Sequence, residues 1–395
     1  MLESFCDVII RAGRVGAMLP LLEETLAAFG GAPPGHRCKL ESNSVKFGIN
    51  FFPAFRPHQK TAAEYYAQCL RVSQRADELG FSSIKTVEHY FHDYGGYSPN
   101  PIVLLSAIAA ATKRIRLITG AVIPAFNHPI KLAGELAMLD GISNGRLDVG
   151  FGRAFIPEEY AAYGLTMDES RERFNEGIKA IVRLWTEERV TYEGRFWRFR
   201  DVHSMPRPTQ QPHPPIWIAA IASEESFAWA AQRGYHVMIV PYAGGLERTS
   251  SLVKLYRQVW REAGHPEGAE QVQMSFHAYV AESHDEAVKG YVPAMRTYLD
   301  VFTEAVSSWE GLKAGQYVGY EKLVQNISSQ TPEGNLEKGY AFVGTPDEVI
   351  QQIKRMRELF GEHEPSMQVT FGGISDKEAL RTVELFARHI VPAFN

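Results

Sequence analysis

The chain has 395 residues, 45% apolar and 22% charged, enough for a sizeable buried core without disulfide staples. Acidic side chains outnumber basic ones, 46 to 41, and no basic stretch offsets the net charge of −5, which argues against a nucleic-acid partner. Cys6, Cys38 and Cys69 are too far apart for a zinc pattern or a disulfide framework, no apolar run is long enough to span a membrane, and Arg11 and Arg14 interrupt any signal-peptide core, so a reducing cytoplasm is the expected setting.

In chain order, "GAMLPLLEETLAAFGG" predicts a short helix ended by Gly30 and Gly31, and "APPGHRCKLESNS" a linker. Residues 1–44 are therefore expected to form an N-terminal extension, and residues 45–395 the main domain. From Val45 strands and helices alternate. "VKFGINFF" reads as a strand, followed by "TAAEYYAQCLRVSQRADELG", a helix with Thr61 as N-cap and Cys69 on its buried face. "FSSIKTVEH" is a strand and "PIVLLSAIAAATKR" a helix opened by Pro101. "IRLITGAVIP", "IKLAGELAMLDGIS" and "GRLDVGFG" continue the alternation, and a helix follows from Met167 to Thr186.

"RVTYEGRFWRFRDVHSMPRP" interrupts the pattern as a hairpin turning near Glu193 and Gly194. "PPIWIAAI", "HVMIV" and "VQMSFHAYVAES" are further strands, each leading to a helix. Ser307 to about Lys338 is poorly patterned; "GTPDEVIQQIKRMREL" is then a capped helix, "SMQVTFGG" an eighth strand and "DKEALRTVELFARHI" a closing helix. Eight strands, several without polar alternation and most followed by helices, predict an α/β fold, a (β/α)8 TIM barrel with insertions and a short N-terminal extension. A doubly wound sheet is disfavoured, because no G-x-G-x-x-G follows the first strand.

Chemistry in such a barrel sits at the C-terminal strand ends. After strand two stand Glu88 and His89, with His92 and Asp93 close behind, a set compatible with a packing role, a metal site or a catalytic pocket. Arg153 and Phe155 follow strand four. Ser223 and Ser226 follow strand five, with Ser223 at a helix N-terminus suited to an anion. The bland alternative is that Ser223 merely caps its helix and Arg153 pairs with Glu158 or Glu159. Aromatic residues crowd the same mouth, as suits a flat apolar ligand.

"KFGINFF…ADELGFSSIKTVEHYFHDYGGYSPNP" and "TKRIRLITGAVIPAFNHPIKLAGELAMLDGISNGRLDVGFGRAF" resemble the bacterial luciferase-like flavin-dependent monooxygenases, and the likeness runs from about Val45 to the C-terminus. The resemblance implies a TIM barrel binding FMN at its mouth. His89 matches the catalytic histidine and Glu88 a flavin-site acid; Arg153, Ser223 and Ser226 match the phosphate-binding residues. Thr119, Gly120 and Ala121 match the segment beneath the flavin ring, with a non-proline cis peptide expected at Gly120–Ala121. Phe155 and Ala222 fall at the same site, and residues 307–338 match a mobile lid. Two departures separate the chain from light-emitting members: Gly152 replaces a reactive cysteine, and Ala222 a glutamate.

The implied activity is oxygenation of a hydrophobic organic molecule by O2 and reduced FMN, through a C4a-(hydro)peroxide. A separate flavin reductase is expected, because the chain shows no nicotinamide fingerprint of its own, and a homodimer is expected by resemblance. The rival readings are an F420-dependent hydride-transfer enzyme of the same superfamily, a non-catalytic flavin-binding subunit, and a metal-dependent TIM-barrel hydrolase.

Overall fold

Capping chemistry sets the helices that space the strands. Thr61 and Glu64 form a capping box at the start of α1 (Ala62–Leu79), which Gly80 ends in the left-handed region. Asn100 caps α2 (Pro101–Ala111) and His128 caps α3 (Pro129–Ile142), each with proline in its first turn. These helices alternate with β1 (Gly48–Phe51), β2 (Ser83–Thr86), β3 (Arg116–Thr119) and β4 (Leu147–Phe151). The structure is a computed structural model and describes residues 45–221, 223–309, 315–317 and 320–395. The expected N-terminal helix and linker, Cys6, Cys38 and Ala222 lie outside the described residues.

After β4 come α4 (Pro157–Ala162), α5 (Ser170–Thr186) and the antiparallel pair β5 (Val190–Glu193) and β6 (Arg198–Val202). The second half contains β7 (Ile216–Ala219), α6 (Glu224–Gln232), β8 (His236–Ile239), α7 (Pro241–Gly244), α8 (Leu246–Glu262), β9 (Val272–Val280) and α9 (His284–Ala305). It closes with α10 (Tyr320–Ser328), α11 (Pro332–Glu337), β10 (Ala341–Gly344), α12 (Pro346–Phe360), β11 (Glu364–Gln368) and α13 (Asp376–Leu385).

The parallel order β11-β1-β2-β3-β4-β7-β8-β9 closes where β9 pairs with both β8 and β11, giving the predicted eight-stranded barrel. β1, β2, β4 and β9 are buried along their whole length, as strands covered on both faces must be. The hairpin falls where the sequence placed it, and Cys69 is buried.

Two expectations need correction. The stretch read as patternless contains α10 and α11. A further strand, β10, pairs in parallel with the C-terminal half of β9, from His277 to Val280.

Candidate active site

β2 ends at Thr86, and the chain after it sends Glu88 and His89 to different partners, in keeping with the alternation of an extended segment. Glu88 is buried. It accepts hydrogen bonds from the Tyr90 hydroxyl at 2.5 Å, the Ile123 backbone N–H at 2.9 Å and Asn127 Nδ2 at 3.2 Å. Desolvation pushes its carboxyl up to about 7, against the pull of those bonds. Glu88 thus ties the strand-two loop to the segment after β3.

His89 Nδ1 lies 3.0 Å from Glu159 Oε1 of α4, and the same oxygen accepts the Tyr90 backbone N–H at 2.9 Å. Phe52, Tyr94 and Phe155 surround the imidazole, Phe155 edge-on at 5.9 Å between ring centres. Gly95 turns the chain back onto it, with φ +84°. The remaining members of the cluster go elsewhere: His92 faces Glu158 at 3.3 Å, and Asp93 faces Arg56 at 3.3 Å. Among the described residues, no three His, Cys, Asp or Glu side chains converge as a metal ligand set.

Glu88, His89, Gly120, Ala121, Arg153 and Phe155 all line one cavity at the C-terminal mouth of the barrel. The cavity and its mouth enclose about 1070 Å³, open space included. The Gly120–Ala121 peptide is cis. Thr119 is not among the lining residues: its hydroxyl bridges to β4, donating to the Gly150 carbonyl and accepting the Gly150 N–H.

A small recess adjoins this cavity, lined by Arg153, Ser226, Trp229 and a residue the sequence did not single out, Arg171. Burial and the nearby Arg153 charge hold the Arg171 guanidinium below its ordinary range, and its ion pair with Glu225 at 3.1 Å is largely exposed on the glutamate side. Ser223 occupies the N-cap position of α6, yet its side chain makes no capping hydrogen bond. The recess therefore brings together two arginines and Ser226 in the first turn of α6, while Ser223 is not among the residues that line it.

Of the two carboxylates suggested for Arg153, Glu159 meets His89, and Glu158 meets His92 and the Ser308 hydroxyl. The Arg153 guanidinium lies 4.7 Å from the centre of the Tyr317 ring. The described part of residues 307–338 packs on the site: Trp309 Nε1 donates to the Phe155 carbonyl, the Tyr317 hydroxyl donates to the Ala154 carbonyl, and Val324 and Ile327 line the cavity.

The family profile described as luciferase-like monooxygenase matches residues 45–363. The oxygenase component of a flavin-dependent trigonelline monooxygenase from Acinetobacter baylyi is 32% identical over 347 residues, 85% of this chain and 92% of that protein. The crystal structure of monooxygenase RslO1 from Streptomyces bottropensis superposes with a TM-score of 0.79 at 44% identity, covering 89% of this chain and all of that one. The FMN complex of the oxygenating constituent of 3,6-diketocamphane monooxygenase from Pseudomonas putida shares the fold, with a TM-score of 0.74 at 20% identity over 89% of this chain and 99% of that one. With four-fifths of its length matched by the profile and a barrel mouth of this construction, the chain belongs to the luciferase-like monooxygenase family.

Proposed function

We propose that the chain is the oxygenating component of a two-component monooxygenase, which takes reduced FMN from a separate reductase and uses O2 to oxygenate a hydrophobic organic molecule. The observation that carries this reading is the recess where Arg153, Arg171 and Ser226 meet beside the cavity that holds His89. Two guanidinium groups that line one recess at the edge of the pocket suit an anion, and the ribityl phosphate of FMN supplies one. The residues fit that group: Arg153, Arg171, Ser223 and Ser226 would hold the phosphate, while Gly120 and Ala121 would support the ring. The name of the Acinetobacter relative, an oxygenase component, supports a separate reductase.

Bound reduced FMN supplies the electrons that activate O2. The protein's part is orientation, water exclusion and proton control. The Glu159 carboxylate favours the proton on His89 Nδ1, which leaves Nε2 as the acceptor when the ring is neutral. From the cavity wall His89 would take or return a proton at the oxygen being transferred. Trp309, Val324 and Ile327 would keep bulk water from the pocket.

We further read the chain as a cytoplasmic homodimer. No helix among the described residues is long and apolar enough to cross a membrane.

The deciding experiment mixes the protein with photoreduced FMN, O2 and a panel of hydrophobic carbonyl and aromatic compounds, with coenzyme F420 as a parallel arm. Oxygenated product with FMN alone supports the proposal. Hydride transfer with F420 and no oxygenated product, or FMN binding with no product at all, would replace it.

A further inference from the structure

Inside the barrel, below His89, lies a second group of polar residues. Asn50 on β1, Lys85 on β2 and Gln368 on β11 occupy one level: Asn50 is register partner to Lys85 on one side and to Gln368 on the other. All three are buried and line the cavity, as does Ser275 of β9. Strand residues at one level on one face stand side by side, so a continuous polar patch forms a floor in a pocket otherwise walled by Phe52, Tyr94, Tyr242 and Tyr298.

This floor is undersatisfied. Among the described residues, Lys85 Nζ makes one hydrogen bond, to Ser275 Oγ at 2.9 Å, and the charge acting on it is Glu364. Desolvation pulls the amine down to about 7. Among the described residues, Asn50 Oδ1 and Gln368 Oε1, both buried, have no hydrogen-bond partner, while the Gln368 amide also faces the Tyr242 hydroxyl. Buried polar atoms are rarely left so. An amine with donors to spare beside two open acceptors matches a ligand that brings an acidic oxygen and a hydroxyl or N–H. The stem of Lys85 is also fixed: a Cβ on Gly120 would fall 2.1 Å from Lys85 Cγ, so only glycine at 120 admits this path.

We propose that Lys85, with Ser275, Asn50 and Gln368, forms a substrate subsite for an ionisable oxygen on a flat conjugated ring, a phenol or an enol. The subsite rests on the reading of this cavity as the place of oxygenation, and it makes the substrate an oxygen-bearing aromatic or enolic molecule rather than a simple alkyl chain. The ammonium neutralises the bound phenolate or enolate, and the tyrosine rings stack or edge against its carbon frame. The Tyr94, Tyr298 and Tyr242 hydroxyls, linked at 3.4 and 3.1 Å, extend the polar strip along the wall for further ring oxygens.

The test uses 4-nitrophenol, whose phenolate is yellow, and 4-nitroanisole, its methyl ether, titrated into flavin-free protein about one unit below the pKa of the free phenol. Because binding is read without flavin, failure here is distinguishable from failure of the oxygenase reading. Growth of the phenolate band on adding protein is expected, with affinity at least about 10-fold above that of 4-nitroanisole. Lys85→Met should abolish the band and weaken 4-nitrophenol about 10-fold or more, while changing FMN affinity less than about twofold. Equal binding of the ether, or an unchanged band in Lys85→Met, overturns the proposal. So does a Lys85→Met variant that loses FMN affinity and keeps 4-nitrophenol, which would assign the amine to the flavin. The ether comparison needs no variant, so the proposal stays refutable even if Lys85→Met does not fold.

Discussion

His89 and Glu159 face each other at 3.0 Å, Nδ1 to Oε1, across the gap between the loop after β2 and helix α4. The second Glu159 oxygen is buried without a hydrogen-bond partner among the described residues, and the first takes both this contact and the Tyr90 N–H. His89→Ala should bind FMN normally and lose about 10²–10⁴-fold in oxygenated product, the usual weight of positioned acid–base help. Glu159→Gln keeps an acceptor but removes the charge, and is expected to lose about 10-fold while FMN affinity holds. Product analysis beside a flavin titration separates the two readouts. Wild-type product formation by His89→Ala would remove the histidine from the chemistry.

Gly95 positions the same imidazole. Its φ of +84° is a conformation that side-chain-bearing residues adopt at a cost, and a Cβ there would lie 2.5 Å from His89 Cβ and 2.8 Å from Cγ. Gly95→Ala is expected to lower stability by about 1–3 kcal/mol and to turn His89 away from Glu159. Product formation should then fall further than the stability loss explains, which activity measured well below the unfolding temperature would reveal.

Glu88 should make stability depend on pH. Its folded value of about 7 lies above the ordinary 4.5, so between these limits the folded chain keeps a proton that the unfolded chain releases. The associated stability is complete below about 4.5 and is lost as pH rises through about 7. Glu88→Gln cannot ionise. Over this window the stability difference should move toward the variant by about 1–3 kcal/mol. Denaturant unfolding across the range tests this, and parallel pH curves for the two proteins would exclude Glu88 as the proton carrier.

Much of this architecture is legible in the sequence, for local reasons. Thr61, Thr345 and the prolines that open helices punctuate the chain, and the apolar runs between them are the barrel strands. β10 escaped notice because Ala341–Gly344 is four residues directly abutting the Thr345 cap. Arg171 sits in the first turn of an ordinary charged helix, and only folding brings that turn beside the end of β4. Glu159 was legible as an ion-pair partner but not as the partner of His89, since that pairing joins a loop to a short helix 70 residues further on. Lys85 did carry a signal, a lone charge in a strand buried at every position.

The face formed by α2 and α3 bears on assembly. Val103 on α2 and Met138 and Ile142 on α3 are each more than half exposed, as is Met205. We propose that these exposed apolar side chains belong to an association surface between two copies of the chain. A Val103→Lys, Met138→Lys pair should shift the protein from dimer to monomer in light scattering at micromolar concentration and leave the circular dichroism spectrum unchanged. A wild-type protein that already runs as a monomer would refute the assignment.

The two arginines at the recess make the sharpest demand on the cofactor. If Arg153 and Arg171 grip a phosphate, their contribution vanishes for a flavin that has none. Arg171→Met, which keeps an unbranched apolar stem in the recess lined also by Phe174 and Trp229, is expected to weaken FMN about 10-fold or more, the value of a charge-assisted contact partly shielded from water. Riboflavin affinity should be the same in variant and wild type. Arg153 is a less clean probe, because its guanidinium also stacks on Tyr317, so its removal disturbs the covering segment as well. Raising salt should weaken FMN more in the wild type than in Arg171→Met, since only the wild type has the second charge to screen. Equal loss of FMN and riboflavin in Arg171→Met would mean that the recess supports the fold of the mouth and that the phosphate lies elsewhere.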